Sequence, residues 1–250
     1  MVNPRRVTLW ATGLTPSSVR FGCGRRPRYV FVLSNGGQVL NSDYTKSMVD
    51  SKEAVEALKF YTDLYKVDKV SPPGTLSMGE DEYRTMMAQG KIAMAIGGPW
   101  SIPLIEQANP DIKGRYGFAP HPHAKGKQSG TFFGGWYFAM GSNSRNKDLA
   151  WSFLTHATSY DTWIYWAGKY GGPLPTRQDV FKDAAIFKTV PWPSILEGFK
   201  GAKSVEPIKP IFTIWTEIYT MVQQVLLGQS SAEQAAKECS KRIDAILSSQ

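Results

Sequence analysis

At 250 residues, with 42% hydrophobic and 20% charged residues, the chain can bury a sizeable core as one large or two small domains, and its composition is that of a globular protein rather than a disordered or fibrous one. The net charge is +8, but Arg5, Arg6, Arg20, Arg25, Arg26 and Arg28 face no acidic residue in the first 28 positions and leave +2 for the remainder, which argues against nucleic acid as a partner. No run approaches the roughly 20 apolar residues of a membrane span, and Cys23 and Cys239 lie too far apart for a zinc or redox motif.

Residues 1–30 read as an anomalous Arg-rich leader, expected to be disordered or non-native. No uninterrupted apolar stretch follows the arginines, so no signal peptide is visible. Beyond it, Asp50 with Glu53 gives a capping-box pattern opening a helix whose apolar positions are Ala54, Val55, Leu58, Tyr61 and Leu64. Pro72-Pro73-Gly74 breaks the chain, and Glu80–Gln89 forms a helix ended by Gly90. Strands are expected at 92–96, 116–119 and 132–140. Helices follow at 147–157 and 159–169, with shorter ones near 178–185 and 193–198. A strong helix at 212–227 stops at Gly228. The last begins at Ser231 with Gln234, and its stripe Ala232, Ala235, Ala236, Cys239, Ile243, Ile246 faces a core, with Cys239 a buried thiol. The pattern is helix-rich α/β.

The most informative stretch is GKIAMAIGGPW, residues 90–100. A short apolar strand empties into a Gly97-Gly98-Pro99 turn that presents Trp100 near a helix N-terminus, the place where open α/β sheets hold ligands. A second glycine turn, Gly134-Gly135, carries Trp136. Tyr170 ends a helix before Gly171-Gly172, Arg177 follows in an extended segment, and Trp215 lies in the first turns of a helix. Aromatic planes, backbone amides and a bidentate arginine together match the apolar faces and polar edges of a sugar. Trp151, Trp163 and Trp166 fall at helical spacing and are expected in the core.

Other chemistry is thinly represented. His121 and His123 lie between prolines with no nearby carboxylate or cysteine, short of the three or four ligands a metal needs. No metal or cofactor is therefore expected. Glu80, Asp81 and Glu82 open a helix, where acids favour the dipole. Glu217, beside Trp215, is the only acid near the candidate residues, and a glycosidase needs two.

The segments GKIAMAIGGPW, GGWYFAM and GGPLPTR, then WTEIYTMVQQVLLGQSSAEQAAKECSKRI, occur in one order. Together they resemble the extracellular solute-binding proteins of carbohydrate ABC importers, the class that includes maltose- and glycerol-phosphate-binding proteins, over residues 31–250. That resemblance implies a type II periplasmic-binding-protein fold, α/β and helix-rich, with the first part of the N-terminal lobe missing. Residues 31–133 and 189–250 would form the C-terminal lobe, and 136–183 would belong to the N-terminal lobe. A sugar or polyol phosphate would lie in the cleft between them, contacted by Trp100, Gly135, Trp136, Tyr170, Gly172, Arg177 and Trp215. The implied partner is the membrane permease, and the location periplasmic or extracytoplasmic. The implied activity is binding, not catalysis. The alternatives are a carbohydrate-active hydrolase or transferase using Glu217, or a truncated remnant without independent function.

Overall fold

The computed structural model describes residues 19–20, 27–134, 138–170, 174–183, 185–188 and 192–249. Ten helices and four short strands lie among them: β1 (Val19–Arg20), α1 (Pro27–Ser34), α2 (Lys52–Lys66), α3 (Glu80–Ala88), β2 (Met94–Ala95), α4 (Ile102–Ala108), β3 (Thr131–Phe133), α5 (Lys147–Ala157), α6 (Tyr160–Tyr170), α7 (Gln178–Asp183), α8 (Trp192–Gly198), β4 (Ala202–Ser204), α9 (Ile211–Leu226) and α10 (Ala232–Ser248). The strands pair as two parallel two-stranded sheets. Val19 lies opposite Met94 and Arg20 opposite Ala95 in one; Thr131, Phe132 and Phe133 lie opposite Ala202, Lys203 and Ser204 in the other.

Periodicity explains the main core. Helix α2 buries Ala54, Ala57, Leu58, Tyr61 and Leu64 on one face. Helix α9 buries Ile214, Ile218, Met221, Val222 and Val225, and α10 buries Ala235, Ala236, Cys239 and Ile243. These three faces meet Val30 and Phe31 of α1 in one apolar cluster, with Phe31 ringed by Phe60 and Tyr61. The boundary expected at residue 30 therefore falls inside a helix whose later residues are core.

Capping fixes the helix ends. Gly90 and Gly228 take φ of +67° and +73° just past α3 and α9, a backbone state glycine adopts without a Cβ clash. Ser231 Oγ accepts from the Gln234 amide at the start of α10, as expected. At α2 the cap is Ser51, whose Oγ accepts from the Ala54 amide, and not Asp50. Asp50 instead accepts from Ser240 Oγ at 3.0 Å, tying the α2 entry to α10. Lys66 Nζ donates to the Val225 carbonyl at 2.9 Å, placing a cation at the C-terminus of α9.

The expected strands are shorter or absent. Residues 92–96 reduce to β2, and 132–140 reduce to β3 with 138–140 irregular. Residues 116–119 are irregular because they find no ladder partner among the described residues. Tyr116 and Phe118, alternate in sequence, pack on each other at 5.7 Å, and the Tyr116 hydroxyl donates to Glu106. A second, smaller apolar cluster gathers Ala167 of α6, Val180 of α7, Phe187 and Trp192, with Trp163 and Ile195 packed against it. Trp151 is a correction: it stands exposed on α5, a helix with no buried residue, and Trp166 is exposed as well.

Candidate functional site

The Trp100 turn is built from α3 and the end of β2. Gly79 N–H donates to Glu82 Oε2 at 2.6 Å, which starts α3 and leaves Glu80 and Asp81 in its first turn. One turn later Arg84 reaches back to both, contacting Glu80 Oε2 and donating to Asp81 Oδ1 at 2.8 Å. Its Nε donates to Ser101 Oγ at 3.2 Å, and Ser101 Oγ lies 2.6 Å from the Tyr83 hydroxyl. Tyr83 and Ser101 are buried, and burial raises the Tyr83 phenol above its ordinary pKa.

The two glycines have separate jobs. A Cβ on Gly97 would sit 2.5 Å from the Tyr83 hydroxyl, so glycine there lets the buried tyrosine close on the turn. A Cβ on Gly98 would overlap the six-membered ring of Trp100, so the indole lies flat against that backbone. The Trp100 Nε1–H donates to Glu80 Oε2 at 3.2 Å, which fixes the ring's rotation. At 48% exposure the ring keeps much of its area open to solvent. The result is a preorganised aromatic plate edged by the Glu80 carboxylate, which Arg84 joins to Asp81 in one ion-pair network. Carboxylates accept hydrogen bonds from hydroxyl groups, so the edge suits a neutral polyol. In the sequence the helix dipole alone accounts for Glu80 and Asp81; the signal for a second role is the acid–Arg84 spacing of one turn in the helix that precedes β2 and the glycine turn.

The other anticipated residues are more dispersed. Trp215 is only 9% exposed, packed edge-on by Phe132 of β3 at 6.0 Å and by Phe212, one turn earlier on α9, at 5.3 Å. Phe212 is the exposed ring of that pair. Its i, i+3 spacing from Trp215 was the available signal. Arg177 is exposed and forked onto Asp179, with Nε to Oδ1 at 3.1 Å and Nη2 to Oδ2 at 2.5 Å. The pairing lowers the Asp179 pKa and raises that of Arg177. Tyr170 is the last residue of α6, and its side chain, like Gly135, Trp136 and Gly172, lies outside the described residues.

Glu217 Oε2 accepts from Arg242 Nε at 2.6 Å, joining α9 to α10. The His121 ring meets the Phe31 edge at 4.7 Å, and burial pushes its pKa down to about 4. His121 and His123 have no third ligand: no group of three or more metal-ligating side chains occurs among the described residues. A cleft of about 600 Å³ lies between α2 and α3, lined by Lys66, Lys69 and Lys91. None of the anticipated residues lines it, and Lys66 is already engaged with α9.

The model of the family described as bacterial extracellular solute-binding protein matches residues 28–162. A solved solute-binding protein of an ABC transporter from Thermotoga lettingae, bound with alpha-D-tagatose, is 42% identical. It superposes with a TM-score of 0.84 over 92% of this chain and 60% of its own. Maltose-bound MalE3 of T. maritima is 27% identical, with a TM-score of 0.82 over 91% of this chain and 60% of its own. The maltodextrin-binding protein MdxE of Bacillus subtilis is 24% identical over 214 residues, 84% of this chain and 50% of the relative. The fold is thus that of type II sugar-binding proteins, and the chain spans about half the length of the curated relatives it matches.

Proposed function

This chain belongs to the bacterial extracellular solute-binding protein family, and we propose that it binds a neutral saccharide and serves as the non-enzymatic capture component of an ABC importer. The observation that carries the reading is the Trp100 plate: a half-exposed indole held against Gly98 and oriented by Glu80, which Arg84 links to Asp81. Stacking on a sugar's C–H face, with carboxylates accepting hydrogen bonds from its hydroxyls, needs no reacting group. Two acids against one arginine leave the edge net negative, which disfavours a polyol phosphate. The tagatose and maltose bound by the two solved relatives support a small neutral sugar.

In this reading residues 31–133 and 189–250 form the C-terminal lobe, and 136–183 belong to the N-terminal lobe. Two separate apolar clusters support the division, with Trp192 and Ile195 drawing the return crossing a few residues later than 189. Gly135 and Trp136 stand at the outward crossing. Tyr170, Gly172 and Arg177 line the facing side, and Arg177 turns from Asp179 to the ligand. Trp215 supports the wall and Phe212 presents the open ring. The protein acts outside the cytoplasmic membrane and hands its sugar to the permease.

Isothermal titration of the chain with D-tagatose, maltose, maltotriose and glycerol 3-phosphate tests this. Saturable heat with at least one neutral sugar, and none with the phosphate, is expected. Heat with none of the sugars defeats the reading.

A further inference from the structure

Three nitrogens of Arg84 reach three different groups. Nη2 contacts Glu80 Oε2, Nη1 donates to Asp81 Oδ1 at 2.8 Å, and Nε donates to Ser101 Oγ at 3.2 Å. Ser101 Oγ lies in turn 2.6 Å from the buried Tyr83 hydroxyl. The Arg84 side chain is 11% exposed, whereas that of Glu80 is 42% exposed. A guanidinium carries its donors in a rigid planar fork. Ser101 anchors the inner edge of that fork, and the outer nitrogens grip a carboxylate that solvent would otherwise leave mobile. The gripped oxygen, Glu80 Oε2, is the same one that accepts from the Trp100 indole N–H.

We infer that Arg84 is a positioning residue of the sugar site, holding Glu80 in line with the Trp100 N–H and so setting the angle of the stacking ring. It acts through Glu80 and not on the ligand. An unrestrained glutamate samples several rotamers, and ordering it on binding costs affinity. The fork removes that cost before a ligand arrives. Lysine is a poor substitute, because one ammonium cannot span Glu80, Asp81 and Ser101 in the same geometry. The inference rests on the sugar-binding reading of Trp100, but its first test needs no sugar.

That test follows the Trp100 indole N–H resonance of the ligand-free chain, assigned with Trp100→Phe in a proton–nitrogen correlation spectrum. Arg84→Met is expected to move it upfield, as Glu80→Ala does, and to add no further shift in the Glu80→Ala background. Arg84→Lys is expected to shift it in the same direction, and it replaces Arg84→Met if thermal melts show that variant unfolded. A resonance left in place by the folded variant overturns the inference and leaves the sugar reading standing. So does an equal shift with and without Glu80, because Arg84 would then act by another route. Titration with D-tagatose and maltose supplies the second readout. Kd should weaken about three- to tenfold in Arg84→Met, and by no more than about twofold further once Glu80 is alanine. Full multiplication of the two effects overturns the inference. Silence with both sugars counts against the sugar reading alone, and the resonance then decides whether Arg84 sets the ring.

Discussion

Gly98→Ala separates the binding site from the fold. Gly98 has φ −113° and ψ 172°, extended backbone that alanine accepts without strain. The whole effect therefore comes from the new methyl, which overlaps the Trp100 ring. Restoring a carbon–carbon contact of about 3.5 Å moves the indole on the order of 1 Å or more. That displacement breaks the 3.2 Å bond to Glu80 and swings the half-exposed ring toward solvent. Loss of one exposed hydrogen bond costs at most about 1 kcal/mol of stability, a fall in melting temperature of no more than roughly 4 °C for a chain of this size. Losing an oriented stacking ring costs about 2 kcal/mol in binding, roughly 30-fold in Kd. Calorimetric titration with the tightest-binding sugar, beside thermal melts, reads both quantities. An unchanged Kd in a variant that melts normally refutes the role given to Trp100.

Gly97→Ala should show the opposite balance, destabilising the fold by about 1–3 kcal/mol through the buried Tyr83–Ser101 pair, as chemical denaturation would reveal. His121 has a folded pKa of about 4 against an ordinary 6.5, so the unfolded chain takes up the proton first as pH falls. Stability is full above about pH 6.5 and erodes toward pH 4, by up to about 3 kcal/mol relative to His121→Phe; parallel pH profiles of the two proteins would contradict this. Cys239, buried and with its thiol pushed up to about 12, should resist alkylation until the protein unfolds, with modification tracking denaturant. Glu217→Gln should lower stability by about 1 kcal/mol through the lost Arg242 pair and leave sugar affinity intact; a matching loss of glycoside turnover would revive the enzyme reading.

How much was legible in the sequence follows from how local each interaction is. Helices α5 and α9 lie within a residue of their expected bounds, and α10 starts at its expected cap, because periodicity, Gly228 and Ser231 act within a few positions. The α2 cap is Ser51 and not the expected Asp50 because both are good caps, and only Ser240, 190 positions from Asp50, decides which is free. Strand pairing is less local still: β3 finds β4 about 70 residues later, so residues 116–119 looked no less strand-like than 131–133. Helix α1 is not legible because its apolar run, residues 29–33, is too short for periodicity to separate a helix from a strand. At the site, the Gly97-Gly98-Trp100 turn was readable as a unit. The covering of Trp215 by Phe132 was not, since it requires β3 to meet α9.

The most direct measurement is the affinity of Trp100→Ala for the sugar that binds the parent chain most tightly, measured beside the melting temperature. At least tenfold weaker binding in a protein that melts within a few degrees of its parent is the predicted result. Equal affinities would place the ligand somewhere other than the Trp100 turn and contradict the account.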